Sequence, residues 1–78
     1  MVYCNLKQKN DSSAVYLFGT SLNDITGEVE FSTALTTPQI SKHPKTAETS
    51  ATMLTKIAIK YKEKFSRGEF PEKLCYER

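Results

Sequence analysis

The fold of this 78-residue chain is decided by the stretch Ala14-Val15-Tyr16-Leu17-Phe18, which is apolar at every position. Alternate side chains of a β-strand point to opposite sides of the sheet, so a strand made of this stretch has two apolar faces. The later stretch Glu28-Val29-Glu30-Phe31-Ser32 alternates between polar and apolar residues and has only one apolar face. We therefore expect residues 14–18 to form the central strand of a small sheet in which both faces need a cover.

Two further strands are predicted on either side of this central stretch. Residues 1–9 and 25–33 are predicted to be strands, and the segments between them, 10–13 and 19–24, are rich in residues that favour turns. Short polar connections favour antiparallel pairing of strands in chain order. The first half of the chain is thus predicted to be a three-stranded antiparallel meander.

The second half of the chain predicts one long amphipathic helix. Residues 34–43 are interpreted as a linker, because residues before proline avoid the helical region, and the helix then begins no earlier than Pro44. It is predicted to end at Gly68, after which the tail is either a short helical turn or an edge strand. The chain is therefore expected to be one small α+β domain over residues 1–78, with the helix packed on one face of the sheet. The predicted apolar stripe of the helix comprises Ala47, Ala51, Leu54, Ala58, Tyr61 and Phe65.

Composition narrows the class of protein. The net charge of +2 and the hydrophobic content of 38 % argue against both a disordered chain and a chain-wide attraction to polyanions. No apolar run approaches the roughly 20 residues of a membrane span, and the N-terminus lacks the pattern of a signal peptide. We therefore expect a cytoplasmic protein with no membrane association.

The residues that could support catalysis or metal binding are few. The chain has two cysteines, Cys4 and Cys75, and one histidine, His43, which is too small a set for a structural zinc site. In the cytoplasm we expect both thiols to be free, and a disulfide between terminal strands is the alternative. His43 has no evident nucleophile or orienting group beside it. We therefore predict a protein that is not an enzyme and that needs no cofactor.

The preferred functional hypothesis is a small interaction protein that binds a protein partner, or itself as a homodimer, through the second face of the sheet. If Val29 and Phe31 face the helix, the second face carries two glutamates beside apolar residues from the central strand. Aromatic anchors with a polar rim are typical of protein interfaces. An alternative is that tail residues 70–76 cover this face. The candidate contacts are Tyr16, Phe18, Glu28 and Glu30, and the sequence also allows Val15 and Leu17 in place of the aromatic pair.

The alternative hypothesis is non-specific nucleic-acid binding by the helix. Residues 37–78 contain nine basic and five acidic side chains, a net charge of +4. At 3.6 residues per turn, four of the basic residues fall within about 80° of one another, opposite the apolar stripe. Such a face predicts modest, salt-sensitive contact with phosphates, without the Asn or Gln residues that often read bases. The four residues are Lys56, Lys60, Lys64 and Arg67.

Overall fold

The computed structural model describes residues 2–34, 38–43 and 51–76. The described residues form one five-stranded sheet in the order β4-β3-β2-β1-β5, in which all neighbouring strands are antiparallel. The predicted α+β class is confirmed. The predicted three-stranded meander is not matched exactly, because β1, β2 and β3 pair in chain order but belong to a sheet of five strands. The elements in chain order are β1 (Val2–Lys9), β2 (Ser13–Gly19), β3 (Gly27–Ser32), β4 (Gln39–Lys42), α1 (Ala51–Lys60), α2 (Lys62–Ser66) and β5 (Lys73–Tyr76).

Strand β2 lies at the centre of the sheet, as its two apolar faces predict. Its register with β3 places Tyr16 opposite Val29 and Ala14 opposite Phe31. Directly opposed residues of antiparallel strands point to the same side, so these four residues share one face. Each is at most 1 % exposed. This face of the sheet is the core face.

Strand β4 lies within residues 34–43, where the sequence predicts a linker. It pairs with the outer side of β3, with Ile40 opposite Val29. Its four residues include a single apolar side chain, which is too few to show an alternating pattern. Pro38 immediately precedes the strand, a position at the start of an edge strand where the missing backbone N–H is tolerated.

The helical segment is divided into two pieces at Tyr61, where the predicted helix was continuous. Tyr61 has φ −106° and ψ 15°, but its N–H still donates to Ile57 O at 3.0 Å and its carbonyl accepts from Phe65 N at 3.0 Å. The segment is therefore one helical path with a local irregularity. The predicted start at Pro44 lies outside the described residues.

Helix α2 ends at Ser66, and the predicted stop signal at Gly68 lies two residues later, just after the C-cap Arg67. Gly68 has φ 75°, a left-handed conformation that glycine adopts without a steric penalty. Its N–H donates to Phe65 O at 3.0 Å, and Glu69 N–H donates to Lys64 O at 2.9 Å. These two bonds form a Schellman motif, which satisfies carbonyls at the helix end and turns the chain back towards the sheet.

The tail forms edge strand β5 and contributes to the core. Leu74 lies opposite Cys4 on β1, and Leu6 N–H donates to Glu72 O at 2.7 Å. Leu74 is 2 % exposed and Phe70 is 4 % exposed. The hypothesis that the tail crosses the second face of the sheet is therefore wrong, because its apolar residues pack on the core face.

The two helices cover the core face, which confirms the predicted side of packing. The Phe65 ring lies 5.2 Å from the Phe31 ring and 5.3 Å from the Phe70 ring, measured between centroids. At the same interface, the Tyr16 hydroxyl donates to Pro71 O at 2.5 Å. Within the described part of the chain, no helix is both long and apolar enough to cross a membrane.

Candidate interaction surfaces

The side of the sheet away from the helices is the second face, on which the sequence predicts no helix. Leu17 lies opposite Glu28 and Val15 opposite Glu30, so all four share this side. Both apolar residues are partly exposed. Among the described residues, no helix or strand packs over them. We call this surface the open face, defined by Tyr3, Asn5, Lys7, Val15, Leu17, Glu28, Glu30 and Lys42.

The placement of Tyr16 and Phe18 on this surface was wrong. Both are 0 % exposed and lie on the core face. Burial raises the pKa of the Tyr16 hydroxyl above its ordinary range. Such side chains are unable to contact a partner while the domain is folded. The alternative pair, Val15 and Leu17, occupies the open face instead.

Glu28 and Glu30 do lie on the open face, but cations and a hydroxyl surround them. Lys7 Nζ is 2.9 Å from Glu28 Oε1, and Lys42 lies opposite Glu28 across the β3–β4 pair. Ser13 donates from its hydroxyl to Glu30 Oε2 at 3.0 Å. The open face therefore carries both signs of charge around its apolar centre, instead of the acidic surface that the sequence suggested. Whether the glutamates contact a partner stays a prediction.

The second candidate surface is the outer side of the two helices. All four predicted cations are exposed there, and we call them the basic face: Lys56, Lys60, Lys64 and Arg67. A groove of about 330 Å³ runs along it from Ile59 to Arg67.

Two of these cations have neighbours within the chain. Lys60 Nζ donates to Cys75 O at 3.1 Å and lies 5.4 Å from the centroid of the Tyr61 ring. Arg67 Nε lies 2.6 Å from Glu69 Oε2, and this hydrogen bond raises the pKa of Arg67 and lowers that of Glu69. Both groups are exposed to solvent, where such pairs contribute little to stability.

The cysteines are free thiols on opposite sides of the sheet. Cys4 pairs with Leu74, whereas Cys75 pairs with Tyr3, so the two thiols point to different faces although their strands are neighbours. The disulfide alternative is therefore wrong. Burial raises the pKa of Cys4 to about 12, which keeps the thiol protonated and unreactive at neutral pH.

The remaining candidates for chemistry are not brought together. His43 is exposed immediately after β4. Within residues 2–34, 38–43 and 51–76, no three His, Cys, Asp or Glu side chains are grouped closely enough to hold a metal ion.

Comparison of the chain with protein-family models, with curated proteins and with solved structures finds no match.

Proposed function

We propose that this chain is a small, non-catalytic interaction protein that uses the open face to bind a second copy of itself. The observation that supports this is the position of Val15 and Leu17. They lie on the central strand, in the middle of the open face, and no element of the described chain shields them. Apolar residues at the centre of a surface with a charged rim are the arrangement that interfaces use.

A second copy suits this surface because its charges are mixed. Lys7 and Lys42 lie beside Glu28 and Glu30 on the same face. In a two-fold symmetric contact, each surface meets an identical one, so a face with both signs of charge offers its own complement. A uniformly acidic face would repel its copy. A foreign protein partner is the other occupant that this surface allows.

The size of the open face sets the expected affinity. Five strands spaced by about 4.8 Å, each with about six residues on a rise of about 3.3 Å, give a footprint of roughly 20 by 20 Å. Such a footprint falls at the small end of specific interfaces, where complexes are weak or transient. We therefore expect a dimer with a dissociation constant in the micromolar to millimolar range.

The experiment compares Leu17→Lys with the matched variant Leu22→Lys. Leu22 is 71 % exposed in the β2–β3 loop, outside the open face. Sedimentation equilibrium over a concentration series measures the dissociation constant of each protein. We expect Leu17→Lys to weaken self-association at least tenfold, because two lysines would meet at the centre of a symmetric contact. We expect Leu22→Lys to behave as the unmodified chain.

The Leu17→Lys variant is expected to keep the fold. A lysine at position 17 lies opposite Glu28, and opposite charges across a strand pair are favourable. Circular dichroism and urea unfolding verify that both variants keep the fold. A chain that stays monomeric at millimolar concentration, with unchanged methyl resonances of Val15 and Leu17, would refute self-association. Capture of a host protein by the unmodified chain and not by Leu17→Lys would then identify a foreign partner.

A further inference from the structure

Charge is concentrated in the helical part of the molecule. Residues 51–67 contain five basic side chains and one acidic side chain, a net charge of +4, whereas the whole chain carries +2. The rest of the chain is therefore acidic overall. Because the buried side chains of the helices, Leu54, Ile57 and Phe65, pack on the sheet, this positive charge is presented on the outer side of the molecule.

Three lysines of the basic face follow one another at intervals of four residues. Lys56, Lys60 and Lys64 are therefore displaced by about 6 Å along the helix at each step. All three are exposed. The ion pairs within the described residues join Lys7 to Glu28 and Arg67 to Glu69, so none of these three lysines is neutralised by a carboxylate there.

The residue types on this face indicate what it contacts. Cores of protein interfaces are depleted in lysine and enriched in aromatic residues. The basic face instead consists of three lysines and one arginine, and the exposed large hydrophobic residue in the groove beside it is Ile59, at 63 %. Lysine is an effective point-charge contact for phosphate, and contacts with phosphate carry no direct sequence information. We propose that the basic face binds the phosphodiester backbone of nucleic acid, without sequence preference.

The basic face and the open face lie on opposite sides of the sheet. The helices cover the core face, and the open face is the other side of the same strands. Binding at one surface therefore leaves the other accessible. A chain that fails to dimerise can still bind nucleic acid, so the two proposals are separated by experiment.

Fluorescence anisotropy with a labelled 20-base-pair DNA of arbitrary sequence measures the proposed binding. Three phosphate contacts predict a slope of about −2.7 for the logarithm of affinity against the logarithm of salt concentration. Affinity for the duplex should therefore fall about 40-fold between 50 and 200 mM salt. The matching single strand should lose about 20-fold, so the two slopes distinguish duplex from single-strand contact.

The decisive variant replaces Lys56, Lys60 and Lys64 with Gln. Its matched control replaces three lysines elsewhere in the sequence, Lys9→Gln, Lys45→Gln and Lys73→Gln, which gives the same net charge. We expect the first variant to lose the salt dependence and at least tenfold in affinity at 50 mM salt. We expect the control to keep at least half of the affinity. Equal losses in the two variants would overturn a site on the basic face.

A smaller variant guards against misfolding. Lys60 bonds the edge strand, so its replacement disturbs the contact between α1 and β5. The double variant Lys56→Gln with Lys64→Gln, compared with Lys9→Gln with Lys73→Gln, leaves that bond in place. We expect its salt slope to fall by about 1.8. No change in slope would contradict the proposal.

A gain of binding and a competitor complete the test. Glu63 is the acidic residue within 51–67, and Glu63→Gln should tighten binding two- to fivefold, whereas Glu72→Gln outside that segment should leave it unchanged.

Polyglutamate of matched charge is the competitor. Displacement of DNA by polyglutamate at equal charge concentration would mean that the face takes an acidic polypeptide, and the proposal would be wrong. Absence of any DNA binding at 50 mM salt would also overturn it.

Discussion

Replacement of Leu74 with Ala tests whether β5 is part of the core. Leu74 is 2 % exposed and lies opposite Cys4, which is 1 % exposed, on the core face of the sheet. Truncating a buried leucine to alanine removes its transfer free energy and leaves a cavity, at a cost of about 2–5 kcal/mol. Because β5 is an edge strand whose surroundings are able to relax, we expect a value near the middle, about 3 kcal/mol.

That loss is large for a domain of this size. At 0.05–0.15 kcal/mol per residue, the free energy of unfolding of the 78-residue chain is about 4–12 kcal/mol. With a urea m-value of about 1 kcal/mol/M, the unfolding midpoint of Leu74→Ala should fall by about 3 M. Amide exchange at Leu6, whose N–H donates to Glu72 O, should accelerate in the same variant.

The matched control is Lys73→Ala, on the same strand but with an exposed side chain that points to the opposite face. A surface substitution of this kind changes the free energy of unfolding by about 0.5 kcal/mol or less. If Leu74→Ala unfolds at the same urea concentration as Lys73→Ala, within that margin, the reasoning that places the tail in the core is refuted.

Two further predictions concern pH and backbone approach. Burial keeps Cys4 protonated in the folded state, with a pKa of about 12, whereas the unfolded thiol ionises near its ordinary value of 9.0, so the free energy of unfolding should fall above pH 9. Ionisation of the Cys4 thiol accounts for about 1.4 kcal/mol of that loss at pH 10. Urea titrations under reducing conditions at pH 7 and pH 10 measure the loss, and Cys4→Ala should remove this contribution whereas Cys75→Ala should not. A Cβ atom on Gly19 would overlap the backbone carbonyl oxygen of Asp24, so Gly19→Ala should lower the free energy of unfolding by about 2–3 kcal/mol in thermal or urea denaturation. An unchanged unfolding midpoint would contradict this close approach.

Alternation and helix-end chemistry made part of the fold predictable. In residues 28–32 polar and apolar residues alternate, so Glu28 and Val29 had to lie on opposite faces once a strand was assigned. The helix end was predictable because glycine is the residue that adopts the left-handed conformation found at Gly68. Both signals are local, and each depends on only a few neighbouring residues.

The composition of the open face was not predictable, because β2 is apolar on both sides. Nothing in residues 14–18 distinguishes a register with Phe18 inwards from one with Leu17 inwards, and a shift by one residue exchanges the two faces. The register is defined by the pairing of β2 with β1 and β3. Strand β4 was not predictable for the same reason. Ile40 alone gives no alternating pattern of polar and apolar residues, and residues 39–42 form a strand because they pair with β3.

The position of the tail determines which variant can test binding at the open face. If the tail had crossed that face, removing the residues after Gly68 would have measured how well the chain covers itself. The structure instead makes β5 a neighbour of β1 and buries Phe70 and Leu74 on the core face, so the truncated chain would unfold whether or not a partner occupies the open face. A substitution at the centre of the open face leaves the core intact. A substitution at Leu17 therefore tests directly whether a second copy of the chain binds the open face.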